Sequence, residues 1–457
     1  MPSYVPGFDA SLLASIIREL PNSSISPESV VHYFLIMTNN RLKEETLTHE
    51  RMRARLRLTE WGAAPLLYFA LLPDKRYLSD PDHASRWSVA YRLVGRHALV
   101  LGDPMGDPAA APQAISSFLE ECKLHCWTPA FYQVTPGHLP TYRASGLRAV
   151  KVGEEARIVL NDFSLAGKRY KNLRNDLRRL EKTGVVLEEF APGALTDSET
   201  IEEMGEICAG WRRANRAGEA GFAMGAFDPL SRLFRESRTL AARDLESGQL
   251  LAFTTFVPAF GPGIQSGWTL DLMRRRADSP HGVMDFLIVS AAQLFAEEGA
   301  ELLSLGLSPL AGADDPRESR QISLVRHFLY KRMGRVYNFQ GLHTFKAKFA
   351  THWEPRYLIS RPGTALAVTA GAVLKAHLSP LEPKKRHSST NLRRRGLVLT
   401  ALLVLLLSPF EKTLAKRAVS HPRRWAHFHP LHFHPHLLHF HTDRTSDRQF
   451  PQDAPAA

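Results

Sequence analysis

A chain of 457 residues that is 44% hydrophobic, 9% aromatic and 23% charged has the balance of a globular protein, with core material for two or three domains, which excludes a disordered or disulfide-stapled chain. Lys and Arg number 58 against 46 Asp and Glu, a net charge of +12 that favours anionic partners such as nucleic acid or acidic lipid headgroups. Three cysteines, Cys122, Cys126 and Cys208, are too few to hold so long a chain and point to a reducing compartment.

The N-terminus, MPSYVPGFDA, has no basic region followed by an apolar run, so no secretory signal is expected. Residues 1–59 read as helical. ASLLASIIREL and SPESVVHYF carry apolar residues at helical spacing, and a charged run from Arg41 to Arg57 follows. APLLYFALL, WSVAYRLVG and HALVLGDP then read as short strands separated by turn residues. Ala111 to Leu124 predicts a helix, and Cys122 and Cys126 at i,i+4 read as buried structural thiols, because no further zinc ligands stand at suitable spacing. PAFYQV is a predicted strand, His138 to Ala144 a short helix, and GLRAVKVGEEARIVL further strands. Within it Glu154 and Glu155 are adjacent and point to opposite faces, so one lines a cleft and the other is exposed.

The pattern then repeats in kind. Residues 168–182 predict a basic helix, GVVLEEF a strand, Thr200 to Ala214 a helix, and TLAARD, LLAFTTFVPA and GIQSGWTLDLM three strands. MDFLIVSAAQLFAEEGA predicts a helix, ELLSLGLSPL a strand and Arg320 to Met333 another helix. Two successive α/β units imply a duplicated fold of two mixed sheets flanked by helices. The expected division is a helical segment at 1–59, a first lobe at 60–165, a second at 166–360 and a tail at 361–457. In that tail GLVLTALLVLLL (396–407) is about a dozen residues, short of the ~20 that span a bilayer. KKRH and LRRR before it, with Lys412, Lys416 and Arg417 after it, frame an interfacial or shallow anchor on anionic lipid; a marginal span extended through Phe410 is the alternative. The His-rich AHFHPLHFHPHLLHFH reads as low-complexity, disordered or surface-attached sequence rather than a metal site, and no metal is expected elsewhere.

The chemistry concentrates in GWTLDLMRRRADSPHGVMDFLIVSAAQLFAEEGA. Thr269 to Met273 ends a strand, an Arg-rich loop turns, Gly282 opens a helix and Gly299 caps its end. The first turn of such a helix offers unpaired N–H groups to an anion, with Arg274 to Arg276 beside it. This layout resembles a GNAT-type acyltransferase. The basic-or-Gln, two-spacer, paired-glycine loop that grips a coenzyme A pyrophosphate is absent, so no cofactor is expected.

GDPMGD (102–107), AFYQV (130–134), GEEARIVL (153–160), FSLAGK (163–168), EAGFAMGAFD (219–228), DLMRRRADSPHGVMDFL (271–287), LSLGLSPL (303–310) and YNFQGLHTFKAKFATHWEPRYL (337–358) together resemble the C-terminal catalytic domain of phosphatidylglycerol lysyltransferases, also found in free-standing aminoacyl-lipid synthases. The resemblance covers roughly residues 60–360 in the family's order. It implies a tandem GNAT-like fold and transfer of an amino acid from aminoacyl-tRNA to a lipid hydroxyl. The chain shows no synthetase domain, so charged tRNA is expected from elsewhere, and its polybasic, apolar tail leads to the expectation of a cytoplasmic protein peripherally or shallowly attached to an anionic membrane. Free-standing fungal members resemble this arrangement and use a sterol, ergosterol, in place of phosphatidylglycerol.

By match to the family motif, Asp271 would hold the donor's α-amino group and Arg274 would orient the ester or the terminal adenosine. Glu155, Glu219 and Asp285, in the same motifs, are candidate substrate-binding acids. Lys168, Lys171, Arg174 and Arg178 follow steps of three and four and share one helical face, either a solvated basic surface or a grip on the tRNA acceptor end. Lys346 and Lys348 in FKAKF alternate as on a strand and could meet phosphate or the reacting carbonyl. Trp211 and Trp353 read as core or lid residues. The competing readings are a non-catalytic, membrane-associated module that binds tRNA or a synthetase, and a coenzyme A-dependent GNAT N-acyltransferase.

Overall fold

A computed structural model describes residues 46–81, 86–214, 221–309 and 339–379. Among these residues the strands are β1 (Arg76–Ser79), β2 (Trp87–Val94), β3 (His97–Leu101), β4 (Met105–Gly106), β5 (Thr128–Val134), β6 (Arg148–Val159), β7 (Val185–Phe190), β8 (Arg238–Asp244), β9 (Leu250–Gly261), β10 (Ile264–Arg275), β11 (Leu302–Pro309) and β12 (His352–Ser360). The helices are α1 (46–61), α2 (Ala111–Leu124), α3 (Leu139–Ala144), α4 (Lys171–Lys182), α5 (Ser198–Ala214), α6 (Arg232–Glu236), α7 (Val283–Glu297), α8 (Phe339–Ala347) and α9 (Leu366–Leu378).

The strands build one sheet in the order β1-β2-β3-β5-β12-β6-β11-β10-β9-β8-β7, with β4 beside β2. The order contains the expected duplication. β3 and β5 are parallel and joined through α2, as β10 and β11 are parallel and joined through α7. Each unit's last strand then crosses over: β6 pairs antiparallel with β11, and β12 pairs antiparallel with β5. β6 and β12 also pair with each other, from His352↔Arg157 to Ser360↔Arg148. The exchange leaves no open edge between the units, so the two mixed sheets expected from sequence are joined into one.

Both faces of the sheet are covered. Against α4 and α7, Leu173, Leu177, Leu180, Phe286 and Phe295 pack with Trp268. On the first unit's side, Leu66, Leu67 and Phe69 pack with Leu99 and Leu101, and Ala372, Val373 and Ala376 of α9 complete this core, although the sequence placed residues 361 onward in the tail.

Three local readings are corrected. APLLYFALL is a buried 3-10 helix, Pro65–Leu71, rather than a strand; a short apolar run has no periodicity to separate the two, and a proline in its first turn favours the helix. FKAKF is not a strand, for Lys346 lies in the last turn of α8. β12 accommodates Pro355 because pairing with β5 begins only at Tyr357, so the proline sits where one edge is still open. Cys122 and Cys208 are buried, whereas Cys126 is exposed in a left-handed turn (φ 53°) beyond the end of α2. The predicted helix at 320–333, residues 1–45 and the tail from residue 380 lie outside the described residues. No described helix is long and apolar enough to cross a membrane.

Candidate active site at the parting of two strands

β10 and β11 pair through Gly267↔Leu302, Trp268↔Leu303 and Thr269↔Ser304 and no further, although β10 runs on to Arg275 and β11 to Pro309. Each carries an irregularity at the point of parting. On β10 it lies between Leu270 and Met273, where the Leu272 N–H donates to Thr255 Oγ1 at 3.0 Å. On β11 it lies between Ser304 and Leu307 and includes Gly306 at φ 76°. Bulges bend the strand that carries them and re-aim its side chains. In the first unit the equivalent strands stay in register from His97↔Thr128 to Leu101↔Tyr132, and Gly102 N–H continues to Tyr132 O at 2.7 Å. Of the two pairs it is the second unit's that parts, and there the Gly306 N–H turns to Ser304 Oγ at 3.2 Å.

A row of polar side chains crosses the sheet at this point. Ser304 stands beside Thr269, and neighbours in register share a face, as do residues two apart along a strand. The same face therefore carries Ser304 on β11, Glu155 and Arg157 on β6, and Glu354 and Arg356 on β12. Ser304 Oγ donates to Glu155, Arg157 Nε to Glu155 at 2.9 Å, and Arg356 Nη2 to both Glu155 and Glu354. Glu155 is 1% exposed. Burial opposes its charge, but Arg356, Arg157 and the Ser304 hydroxyl outweigh it and hold the carboxyl below the usual glutamate range. Glu154, its neighbour, pairs instead with Lys151 at 2.8 Å, so Glu155 is the member of the pair that faces the site.

Lys346 approaches the row from α8. Its Nζ donates to Leu307 O at 2.8 Å and lies 3.9 Å from where a Cβ on Gly306 would stand. Burial pushes this ammonium down to about 7, a fall that the Glu155 charge only partly offsets. Two residues on, Lys348 pairs with Asp285 in the first turn of α7 at 2.8 Å. The two lysines do not share a strand face; one reaches β11 and the other the helix that follows β10. Trp353 is half-buried with the His343 ring 4.6 Å away.

On β10, Asp271 is buried and its Oδ1 accepts the Gly225 N–H at 2.7 Å. The Gly225 backbone lies so close that a Cβ there would come within 2.5 Å of Asp271 Oδ2 and of Leu233 Cδ2. Arg274 is also buried, stacked with its guanidinium 3.7 Å from the centre of the Trp211 ring and donating to Met273 O at 2.9 Å. Arg276 is committed to Leu250 O at 2.8 Å, with Glu206 3.3 Å away, which leaves Arg275 as the exposed member of the trio.

The anion-binding end expected at α7 is partly occupied. Gly282 caps it at φ 90°, but Asp176 of α4 packs 3.3 Å from the position of a Gly282 Cβ and Arg179 donates to His281 O at 2.8 Å. At its other end Gly299, at φ 83°, closes the helix as expected, with Ala300 N–H returning to Phe295 O at 2.9 Å. On the basic segment Lys168, Lys171 and Arg178 are exposed, whereas Arg174 folds back onto Leu165 O and Gly167 O. Glu219 lies outside the described residues. Sequence reasoning passed over Arg157, Arg356, Ser304 and Gly225; all lie in or beside the quoted motifs, but their spacing along the chain carries no sign of the meeting.

Compared with known proteins, residues 55–360 match the model of the family described as phosphatidylglycerol lysyltransferase, C-terminal. The phosphatidylglycerol lysyltransferase of Bacillus subtilis (strain 168) is 30% identical over 342 residues, 74% of this chain and 38% of its own length. That of Staphylococcus aureus (strain MRSA252) is 25% identical over 318 residues, 70% of this chain and 36% of its own length. The chain thus spans little more than a third of these relatives. Among solved structures, L-PGS from Bacillus licheniformis is 26% identical with a TM-score of 0.59, covering 72% of this chain and 97% of that one. The C-terminal domain of a protein described as a lysylphosphatidylglycerol synthetase from Agrobacterium fabrum is 30% identical with a TM-score of 0.61, at the same coverages.

Proposed function

The chain belongs to the phosphatidylglycerol lysyltransferase C-terminal family, and from that premise we propose that it transfers an aminoacyl group from aminoacyl-tRNA to a hydroxyl of a membrane lipid, phosphatidylglycerol or a sterol such as ergosterol. The observation that carries the reading is the buried polar row ending where β10 and β11 part, with the Glu155 carboxylate in the row and the Lys346 ammonium on the Leu307 carbonyl beside it.

The donor ester is already activated, so positioning, charge stabilisation and one proton transfer suffice. Asp271, positioned by the Gly225 N–H, binds the donor's α-ammonium. Arg274, flat on Trp211, orients the ester and the terminal adenosine. Backbone N–H groups of the parted strands receive the developing oxyanion. Lys346, neutral above about pH 7, takes the lipid hydroxyl proton as that oxygen attacks the ester carbon. Collapse of the tetrahedral intermediate breaks the carbon–oxygen bond to the tRNA ribose, and the proton passes to the departing ribose oxygen. The product is an amino-acid ester of the lipid and free tRNA. Glu155 and Arg356 hold the floor beneath Lys346, Lys348 with Asp285 braces the start of α7, and exposed Lys168, Lys171 and Arg178 grip the acceptor stem, with Glu219 a further donor-side acid. A synthetase supplied separately charges the tRNA, and the protein works in the cytoplasm at an anionic membrane surface. The lobes divide at residues 60–165 and 166–360, and α9 joins the first lobe's core.

Mass spectrometry of lipids from cells with and without the protein tests the reading and names both amino acid and acceptor. An aminoacyl lipid that depends on the protein and vanishes in RNase-treated extracts is expected. Normal product from an Asp271→Ala, Arg274→Ala double variant would refute the site, and tRNA binding with no turnover on any lipid would favour a binding module.

A further inference from the structure

The family match ends at residue 360, and α9 begins six residues later. This helix and a buried charge cluster converge on one short backbone segment. Lys75, with no exposed side-chain surface, donates to Asp74 Oδ1 at 2.6 Å and to Phe222 O at 2.9 Å, and stands 4.8 Å above the Phe222 ring. Arg92 joins Asp74 Oδ2 at 3.0 Å to Ala376 O at 3.0 Å, tying the cluster to α9. His377 O accepts the Gly221 N–H at 2.6 Å. Its ring lies 5.5 Å from Phe222 and 5.4 Å from Tyr132, with Nδ1 donating to Val373 O at 2.8 Å. Phe222 itself is fully buried at φ 67°, a conformation a bulky residue adopts only when its surroundings compel it. Three residues on, Gly225 gives its N–H to Asp271.

We propose that α9, through Ala376 and His377, and the Asp74–Lys75–Arg92 cluster form a clamp on residues 221–225 that positions the Asp271 carboxylate for the aminoacyl donor. The inference rests on the reading of Asp271 as the donor-binding acid. A buried lysine and its aspartate are costly in an apolar core, and here the lysine gives one hydrogen bond to the Phe222 carbonyl, on backbone that leads straight to the site. Lys75 and His377 are positioning residues: neither touches Asp271, and both act through Phe222 and Gly225.

The test uses full-length Lys75→Met, which removes the donor to Phe222 O at similar volume, and His377→Leu, which removes the ring under Phe222. Phe118→Leu, in the separate core beneath α2, serves as a control for general loss of stability. Amide exchange in peptides spanning 221–225 is read together with donor and acceptor kinetics. Both clamp variants are expected to speed that exchange on the order of tenfold and raise the donor KM with the acceptor KM unchanged, while the control changes neither at an equal fall in Tm. Exchange no faster than in the control overturns the clamp, and faster exchange with an unaltered donor KM overturns its link to Asp271. Asp271→Asn separates the premise: full transfer activity in that variant refutes the donor-site reading, whatever the exchange data show.

Discussion

Lys346 brings a titratable amine to the place where β10 and β11 part, and its charge state decides when it can accept a proton. Its folded value is lowered to about 7, so the neutral amine accumulates as pH rises through that point, and transfer is expected to rise with pH and level off above it. The same shift acts on stability. Between about 7 and the ordinary lysine value of 10.5 the unfolded chain binds this proton more tightly, so raising the pH across that window stabilises the fold. Lys346→Met is expected to abolish the pH-dependent limb of transfer while raising Tm at neutral pH. A pH–rate series beside melting curves checks both, and an unchanged limb would remove Lys346 from the proton path. Gly225→Ala tests the Asp271 side: the added methyl must displace Asp271 or Leu233, and a shift of about 1 Å in a donor-holding group is worth roughly a hundredfold in rate. Steady-state assays of a variant with native-like circular dichroism read it directly.

At the scale of elements, the basic segment before β7 divides its charges. Lys168, Lys171 and Arg178 face solvent, while Leu173, Leu177 and Leu180 bury the opposite side against α7. If the exposed three meet phosphates, reversing them to Glu lowers tRNA affinity and reduces the slope of log affinity against log salt by about one for each phosphate no longer neutralised. Arg174→Ala is expected to leave that slope alone and loosen residues 165–167 instead, because its guanidinium caps their carbonyls. Binding titrations at several salt concentrations distinguish the two. Helical spacing had placed all four cations on one face; which of them folds back onto Leu165 depended on a loop whose path no spacing describes.

At the scale of the molecule, the exchange of β6 and β12 makes the two units share their central strands, so neither can lose its last strand without exposing the other's edge. Unfolding is expected as one transition, with fluorescence from Trp87 in the first unit and Trp268 in the second coinciding in single-tryptophan variants; separated transitions would show that the joined sheet does not couple them. Arg356→Met leaves Glu155 and Glu354 to share Arg157 at the junction, and breaking such a buried pair costs about 3–5 kcal/mol, measurable as a lower denaturation midpoint.

The sequence by itself determined the duplicated α/β pattern and the strand–loop–helix from Trp268 to Gly299, because alternation, helical spacing and turn glycines are local properties of a chain. The family motifs added Glu155 and Lys346 as candidates without saying that the charge of one acts on the other. Only the tertiary structure decided that Glu155 turns inward, that β12 crosses over to lie between β5 and β6, and that β10 and β11 part beyond Thr269 and Ser304. Those outcomes depend on which strands become neighbours. Pairing joins residues as far apart as Arg157 and His352, and no period along the chain records such a meeting.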